Sequence, residues 1–308
     1  MSTKGMSTKD MSSIRERYIK AMRKMDPSIN TIDQIRQELA AKKQPELPPA
    51  TTVNQVIISN LPAEWIKAAN VPEGNEQVIL YFHGGGLYCG DCETYRNLAA
   101  LISGASGVQV LLVAYRLAPE HKYPAANDDC LAAYRWLIKN GVSAKNIIIG
   151  GDSAGGALTL MTLLSLRDAN EPLPAAAFMF SPWGDMVNFD GESYISRAEL
   201  DPVTHLKGSQ IAASLYVDDL TVKPPLLSPI NQDLSGLPAL FIQVGDHEVL
   251  LSDSTRLAER AKTAGVDVTL EIWENLWHVF QSLAAVLPEA KQAINNVGKW
   301  VQNRFDVV

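Results

Sequence analysis

Five consecutive residues, Gly151-Asp152-Ser153-Ala154-Gly155, spell GxSxG, the pattern of a serine set on a sharp strand-to-helix turn. Such a turn leaves room only for small residues two places to either side of the serine, hence the glycines. The serine then projects above a sheet at a helix N-terminus, where the dipole favours developing negative charge. Its chemistry would be nucleophilic attack on an acyl carbon. GxSxG often arises by chance, so context decides. Here Asn146-Ile-Ile-Ile-Gly150 precedes it as a strand should, Ala157-Leu-Thr-Leu-Met-Thr-Leu-Leu164 follows as a helix should, and the chain has no second copy.

Acyl transfer also builds an oxyanion, and one backbone N–H aimed at it can be worth about 2.7–4 kcal/mol. His83-Gly84-Gly85-Gly86 closes the apolar run Val78–Phe82 and would let the backbone approach that closely. Alone it reads as a glycine-rich turn. Beside an elbow at 151–155, the N–H groups of Gly85, Gly86 and Ala154 become the expected donors.

A serine needs a base, and the chain has five histidines. His83 belongs to the glycine loop, His121 precedes the elbow, and His205 lies in a segment that does not fit the sheet pattern. His247 has acids on both sides and precedes its own strand-and-helix unit. His278, in Glu274-Asn-Leu-Trp-His278, follows the last expected strand, where the order Ser…acid…His needs it. For the acid, Gly245-Asp246-His247-Glu248 offers two carboxylates after the run Ala239–Val244. Either could hold the Nδ1 proton of the base.

These residues need a scaffold, and the chain describes one. Apolar runs rich in β-branched residues recur at Val53–Ser59, Gln77–Phe82, Val108–Tyr115, Asn146–Gly150, Ala175–Phe180, Ala239–Val244 and Val266–Trp273. Amphipathic stretches lie between them at Tyr95–Ile102, Ala125–Lys139, Ala154–Arg167, Ser254–Thr263 and Glu289–Asn303. Alternation of this kind implies a mostly parallel sheet flanked by helices, with ligand sites at the carboxyl ends of the strands. Residues 12–45 and 185–224 break the pattern. The first is helical with a gap at Asp26-Pro27, and the second carries a helical patch at Lys207–Val217. Both are expected to pack over the strand ends as a cap.

At 308 residues, with 46% hydrophobic and 20% charged, the composition is that of a globular protein. A net charge of −7 without a basic cluster argues against nucleic acid as partner. No apolar run of about 18 residues exists, which excludes a transmembrane helix. The N-terminus has no signal-like apolar region, and its repeated Met-Ser-Thr-Lys reads as a disordered tail. Cys89, Cys92 and Cys130 cannot all pair within one chain, which points to reduced thiols and a cytoplasmic setting. Cys89-x-x-Cys92 has no second CxxC to make a metal or redox centre, so it reads as two ordinary thiols.

With these residues in hand, the chain resembles the hormone-sensitive-lipase-like bacterial esterases (esterase family IV). The likeness runs from about residue 75 to the C-terminus. It rests on Tyr81–Gly86 (YFHGGG), Tyr115–Ala126 (YRLAPEHKYPAA), Gly151–Gly156 (GDSAGG), Asp233–Gly245 (DLSGLPALFIQVG) and Glu274–Phe280 (ENLWHVF). The resemblance implies an α/β-hydrolase fold with an N-terminal helical cap, activity on esters of short to medium acyl chains, and a homodimer. Within YRLAPEHKYPAA, Arg116 and Glu120 are expected to pair and brace the loop. Where that family has Asp-Pro-Leu-x-Asp, alignment on Leu250 gives Glu248-Val249-Leu250-Leu251-Ser252. That puts Glu248 in the acid slot, 30 residues before His278 as in resembling esterases, and leaves Asp246 two residues early. Ser252 stands for the second aspartate, and either type can cap a helix.

The expectation is therefore a carboxylesterase with a Ser153–His278–Glu248 triad, an oxyanion hole of Gly85, Gly86 and Ala154, and no metal or organic cofactor. Its segments are 1–45 (tail and cap helices), 46–184 (first catalytic part), 185–224 (cap insertion) and 225–308 (second catalytic part). The same machinery would serve lactones, carbamates or amides. A ligand-binding protein on this fold is the rival from another class, and it would need a broken triad.

Overall fold

The computed structural model describes residues 8–219, 221 and 224–306. Two helices come first, α1 (Thr8–Met22) and α2 (Ile32–Ala41), joined through a short 3₁₀ turn at Arg23–Met25. The gap between them lies where Asp26-Pro27 interrupts the helical pattern. Thr31 and Gln34 form a reciprocal capping box that starts α2. The first copy of Met-Ser-Thr-Lys lies outside the described residues, while Thr8 and Lys9 of the second copy begin α1 rather than a tail.

An antiparallel hairpin follows, β1 (Thr52–Ile58) and β2 (Leu61–Lys67). The sequence pattern foretold only the first strand. Pro62 and Glu64 disguise the second, yet Ser59 and Asn60, at φ 49° and 70°, make the two-residue turn that hairpins favour. Glu64 survives at 4% exposure because Arg96 meets both its oxygens, at 2.7 and 2.8 Å.

The chain then alternates: β3 (Val78–Phe82), α3 (Cys92–Ser106), β4 (Gln109–Val113), α4 (Ala125–Lys139), β5 (Ile147–Asp152), α5 (Ala154–Asp168) and β6 (Ala176–Phe180). After an excursion holding α6 (Ser193–Ser196) and α7 (Leu206–Tyr216), it resumes with β7 (Ala239–Gly245), α8 (Leu251–Thr263), β8 (Val268–Trp273) and α9 (Pro288–Asp306). The eight strands form one sheet in the order β1-β2-β4-β3-β5-β6-β7-β8, parallel from β4 to β8. This is the mostly parallel, helix-flanked sheet expected from the alternation, and the α/β-hydrolase arrangement that the resemblance implies.

Two apolar layers explain the unbroken hydrophobic runs. Leu80, Phe82, Leu111, Val113 and Ile149 face one layer, packed with Leu137 of α4 and Leu158 of α5. Ile79, Tyr81, Val110, Leu112 and Ile148 face the other, with Leu98 of α3 and Val297 of α9. Alternate residues thus go to opposite faces, and both faces are covered. Each large side chain so buried stabilises the fold by roughly 1.5–3 kcal/mol. Among the described residues, no helix is long and apolar enough to cross a membrane.

The two segments that broke the pattern touch each other. Asp26 Oδ2 lies 2.9 Å from His205 Nε2, and Arg15 donates to Leu200 O at 2.6 Å. Arg36 of α2 ties the first segment to the sheet domain, reaching Tyr88 O, Ala118 O and both carboxylate oxygens of Glu120. That corrects the expected Arg116–Glu120 pair. Arg116 instead faces Asp129, one turn into α4, whose carboxylate takes both its backbone N–H and its guanidinium. Neighbours in sequence were not neighbours in space.

Candidate active site

Four strand ends converge on the site, as parallel sheets require: β3 leads to the glycine loop, β5 to Ser153, β7 to Glu248 and β8 to His278. Ser153 occupies the one-residue elbow between β5 and α5 at φ 52°, ψ −119°. A non-glycine residue there costs of order 1–3 kcal/mol and persists only when its surroundings enforce it. They do so from both sides. Ser153 N–H donates to Phe180 O at 2.9 Å, and its carbonyl accepts from Trp183 N–H at 3.0 Å. The flanking glycines are obligatory, because a Cβ on Gly155 would sit 2.0 Å from Phe82 O and one on Gly151 2.4 Å from Gly155 O.

His278 Nε2 lies 2.9 Å from Ser153 Oγ, and its Nδ1 lies 2.7 Å from Glu248 Oε2. The His278 side chain is 6% exposed and that of Glu248 fully buried. The second oxygen of Glu248 accepts from Ser181 Oγ at 2.8 Å and from Gly245 N–H at 2.6 Å, so a buried charge there is fully satisfied. Asp246 takes no part in this line. Its Oδ1 accepts from Asn275 N–H at 2.6 Å, and its side chain is 34% exposed.

Gly85 and Gly86 adopt φ 107° and 61°, where side chains are disfavoured, and their N–H groups donate to no described residue. The loop is braced from beneath. Gly84 N–H donates to Asp152 Oδ1 at 3.0 Å, and Gly85 O accepts from Tyr88 and Cys89 N–H at 3.1 and 3.0 Å. Ala154 is the first residue of α5, so its N–H has no intrahelical acceptor.

A family model described as alpha/beta hydrolase fold matches residues 79–282. That span holds every residue named in the site. The chain belongs to this family, and within it to the hormone-sensitive-lipase-like hydrolases. An acetyl-hydrolase of Streptomyces hygroscopicus is 37% identical over 247 residues, 80% of this chain and 81% of that one. A crystal structure of an esterase from the bacterial hormone-sensitive lipase family is 38% identical, with a TM-score of 0.88 over 97% of this chain and 99% of that one. The crystal structure of EstE5, soaked with p-nitrophenyl butyrate, is also 38% identical, with a TM-score of 0.90 over 97% of this chain and all (100%) of its own.

In this hydrolase the electrostatics favour a charged His278. Burial pulls its pKa down, but the hydrogen bond and charge of Glu248, with the charges of Asp201 and Asp152, outweigh burial and raise it above 6.5. His83 is the opposite case: burial lowers it to about 4, so it stays neutral. Its Nδ1 meets Gly84 O at 2.7 Å and its ring stacks on Tyr115 at 4.3 Å, which makes it a brace for the glycine loop.

Three supporting residues went unread in the sequence. Asp152, buried and pushed up to about 6, accepts from Gly84 N–H, Tyr81 and Tyr95. Its signal was its place inside GxSxG. Tyr115, from the loop motif, donates to His83 O at 2.7 Å. Ser181, at φ 47°, bridges Glu248 and Val279 N–H and carries no sequence signal. Ser252 does not cap α8, which starts after Leu250; its Oγ accepts from Ser193 N–H instead. All three cysteines are free and buried, and burial pushes the Cys89 and Cys92 thiols up to about 12, away from the reactive thiolate. Among the described residues no cluster of three or more metal-ligating side chains occurs.

Proposed function

We propose that this serine ester hydrolase cleaves short- to medium-chain acyl esters through Ser153, with His278 as general base and Glu248 as the acid that orients it. The observation that carries the reading is the unbroken line from Ser153 Oγ through His278 to Glu248, at 2.9 and 2.7 Å. Ser153 attacks the ester carbonyl as His278 Nε2 takes its proton. Glu248, already satisfied by Ser181 and Gly245, keeps the Nδ1 proton in place and stabilises the imidazolium. The oxyanion rests on the N–H groups of Gly85, Gly86 and Ala154. His278 returns the proton to the departing alcohol, and water hydrolyses the acyl-enzyme by the same steps. None of these steps calls for a metal or organic cofactor.

The names of the relatives support ester substrates with small acyl groups. We read α1, α2 and residues 185–224 as a cap that limits acyl length. Tyr18 of α1 supports this, since its ring packs on Trp277, next to His278, with centroids 5.7 Å apart. A serine-directed phosphonate tests the nucleophile. It should add covalently at Ser153 and abolish hydrolysis of p-nitrophenyl acetate. Labelling at another residue, or activity persisting after full labelling, would sink the assignment.

A further inference from the structure

The loop that carries Glu248 is held by one short stretch of chain, residues 193–201, about fifty residues upstream. Ser193 Oγ donates to Val249 O and accepts from Ser252 N–H at 2.9 Å, while Ser193 N–H donates to Ser252 Oγ at 2.9 Å. Arg197 Nε donates to Asp246 O at 2.8 Å. Asp201 completes the hold. Its Oδ2 accepts from Val249 N–H at 2.9 Å, and its Oδ1 accepts from Val203 and Thr204 N–H at 2.8 and 3.0 Å. Both backbone polar groups of the residue after Glu248 are thus taken by side chains of this stretch.

We propose that Asp201 is a positioning residue for hydrolysis: its carboxylate fixes the backbone at Val249 so that Glu248 meets His278, and its charge stabilises the imidazolium. The inference rests on the triad reading above. Three carboxylates act on His278 through their charge: Glu248 after β7, which also bonds it, Asp201 before α7, and Asp152 at the end of β5. Around Asp201 itself stand His278 and Glu248, together with the Tyr18 phenol of α1. The two nearby guanidiniums are engaged elsewhere, Arg15 on Leu200 O and Arg197 on Asp246 O. Burial pushes the Asp201 carboxyl up to about 6, with His278 opposing and Glu248 adding to the rise. Above that pH it is an anion whose interaction with His278 favours the protonated ring.

Asparagine at 201 could keep one acceptor oxygen for the turn at 203–204. It would then turn its NH₂ group against Val249 N–H, donor facing donor, and it carries no charge. The test is the pH profile of kcat/KM on p-nitrophenyl acetate for the full-length protein and five variants. Asp201→Asn should lower kcat about tenfold with KM little changed. Its acid limb should move down by about half a pH unit or more, because one anion near the imidazole is gone. Ser193→Ala loosens the same loop without altering charge, so its limb should stay put, and Asp201→Glu should return the limb toward its original position. An Asp201→Asn limb at the original pH overturns the proposal. Glu248→Gln separates the two readings: if it remains active the triad reading fails, and if it is dead while the Asp201→Asn limb is unmoved, only this inference fails. Asp201→Ser serves as a second neutral variant. Failure of both neutral variants to fold, judged by circular dichroism, would make Asp201 a folding residue and overturn the proposal too.

Discussion

Ser153 is held by its own stretch of chain and by the backbone of the neighbouring strand ends, whereas Glu248, beyond one local bond from Gly245 N–H, is held by side chains from distant parts of the sequence. On the serine side, glycines at 151 and 155 admit Gly155 O and Phe82 O to within 2.4 and 2.0 Å of where a Cβ would stand. Main-chain bonds to Phe180 and from Trp183 complete the hold. On the acid side, Glu248 leans on Ser181, 67 residues away, and its loop on Ser193, Arg197 and Asp201. A backbone-built turn leaves a motif that can be read in five letters. A side-chain-built loop leaves scattered serines and acids with no pattern at all.

That contrast can be broken from either side. The largest effect should come from Ser153→Ala, which removes the proposed nucleophile and should lower kcat by about 10⁶ while the thermal midpoint barely moves. Steady-state kinetics beside a melting curve checks both halves, and activity within a hundredfold would contradict the assignment. Next comes Glu248→Gln, expected to lower kcat by about 10⁴, since the imidazole loses both its orientation and its counter-charge. Asp246→Asn is its control and should stay within about tenfold, because that carboxylate serves Asn275 N–H rather than His278. If the asparagine variant is the dead one, the acid lies two residues earlier.

Acidity gives an intermediate effect. Since Glu248, Asp201 and Asp152 overcome burial and raise the His278 pKa above 6.5, the neutral imidazole that the proposed mechanism needs as base is lost as pH falls through that raised value. The rate constant kcat/KM should then drop about tenfold for each further pH unit, with the limb above 6.5. A limb centred below pH 6 would show that burial dominates instead.

Two smaller effects concern stability. Gly155→Ala forces a methyl group against Phe82 O, a backbone atom that cannot swing aside, and should cost about 1–3 kcal/mol in chemical denaturation. Arg36→Ala, which severs α2 from Glu120, Ala118 O and Tyr88 O, should cost only about 1 kcal/mol, as its partner Glu120 is half exposed. Its effect on acyl-chain preference should exceed its effect on the melting midpoint if α1 and α2 cap the site. Unchanged preference across acetyl to octanoyl esters would argue against that cap.

Periodicity made most of the sheet legible, because strands buried on both faces must be apolar throughout, and Val78–Phe82 and Ile147–Gly150 are. The elbow and the glycine loop were legible because backbone conformation restricts residue type locally. The position of His278 followed from chain order alone. The strand Leu61–Lys67 was hidden, since Glu64 can be buried only with Arg96 across from it, a partner 32 residues away. The sequence left Asp246 and Glu248 as near-equals, and resemblance, including the 30-residue spacing to His278, favoured the latter. Tertiary structure brings Glu248 to 2.7 Å from His278 and turns Asp246 toward Asn275. The physical reason is that a local motif is written by sterics within a few residues. A buried charge is written by whichever groups the finished fold brings near enough to satisfy it.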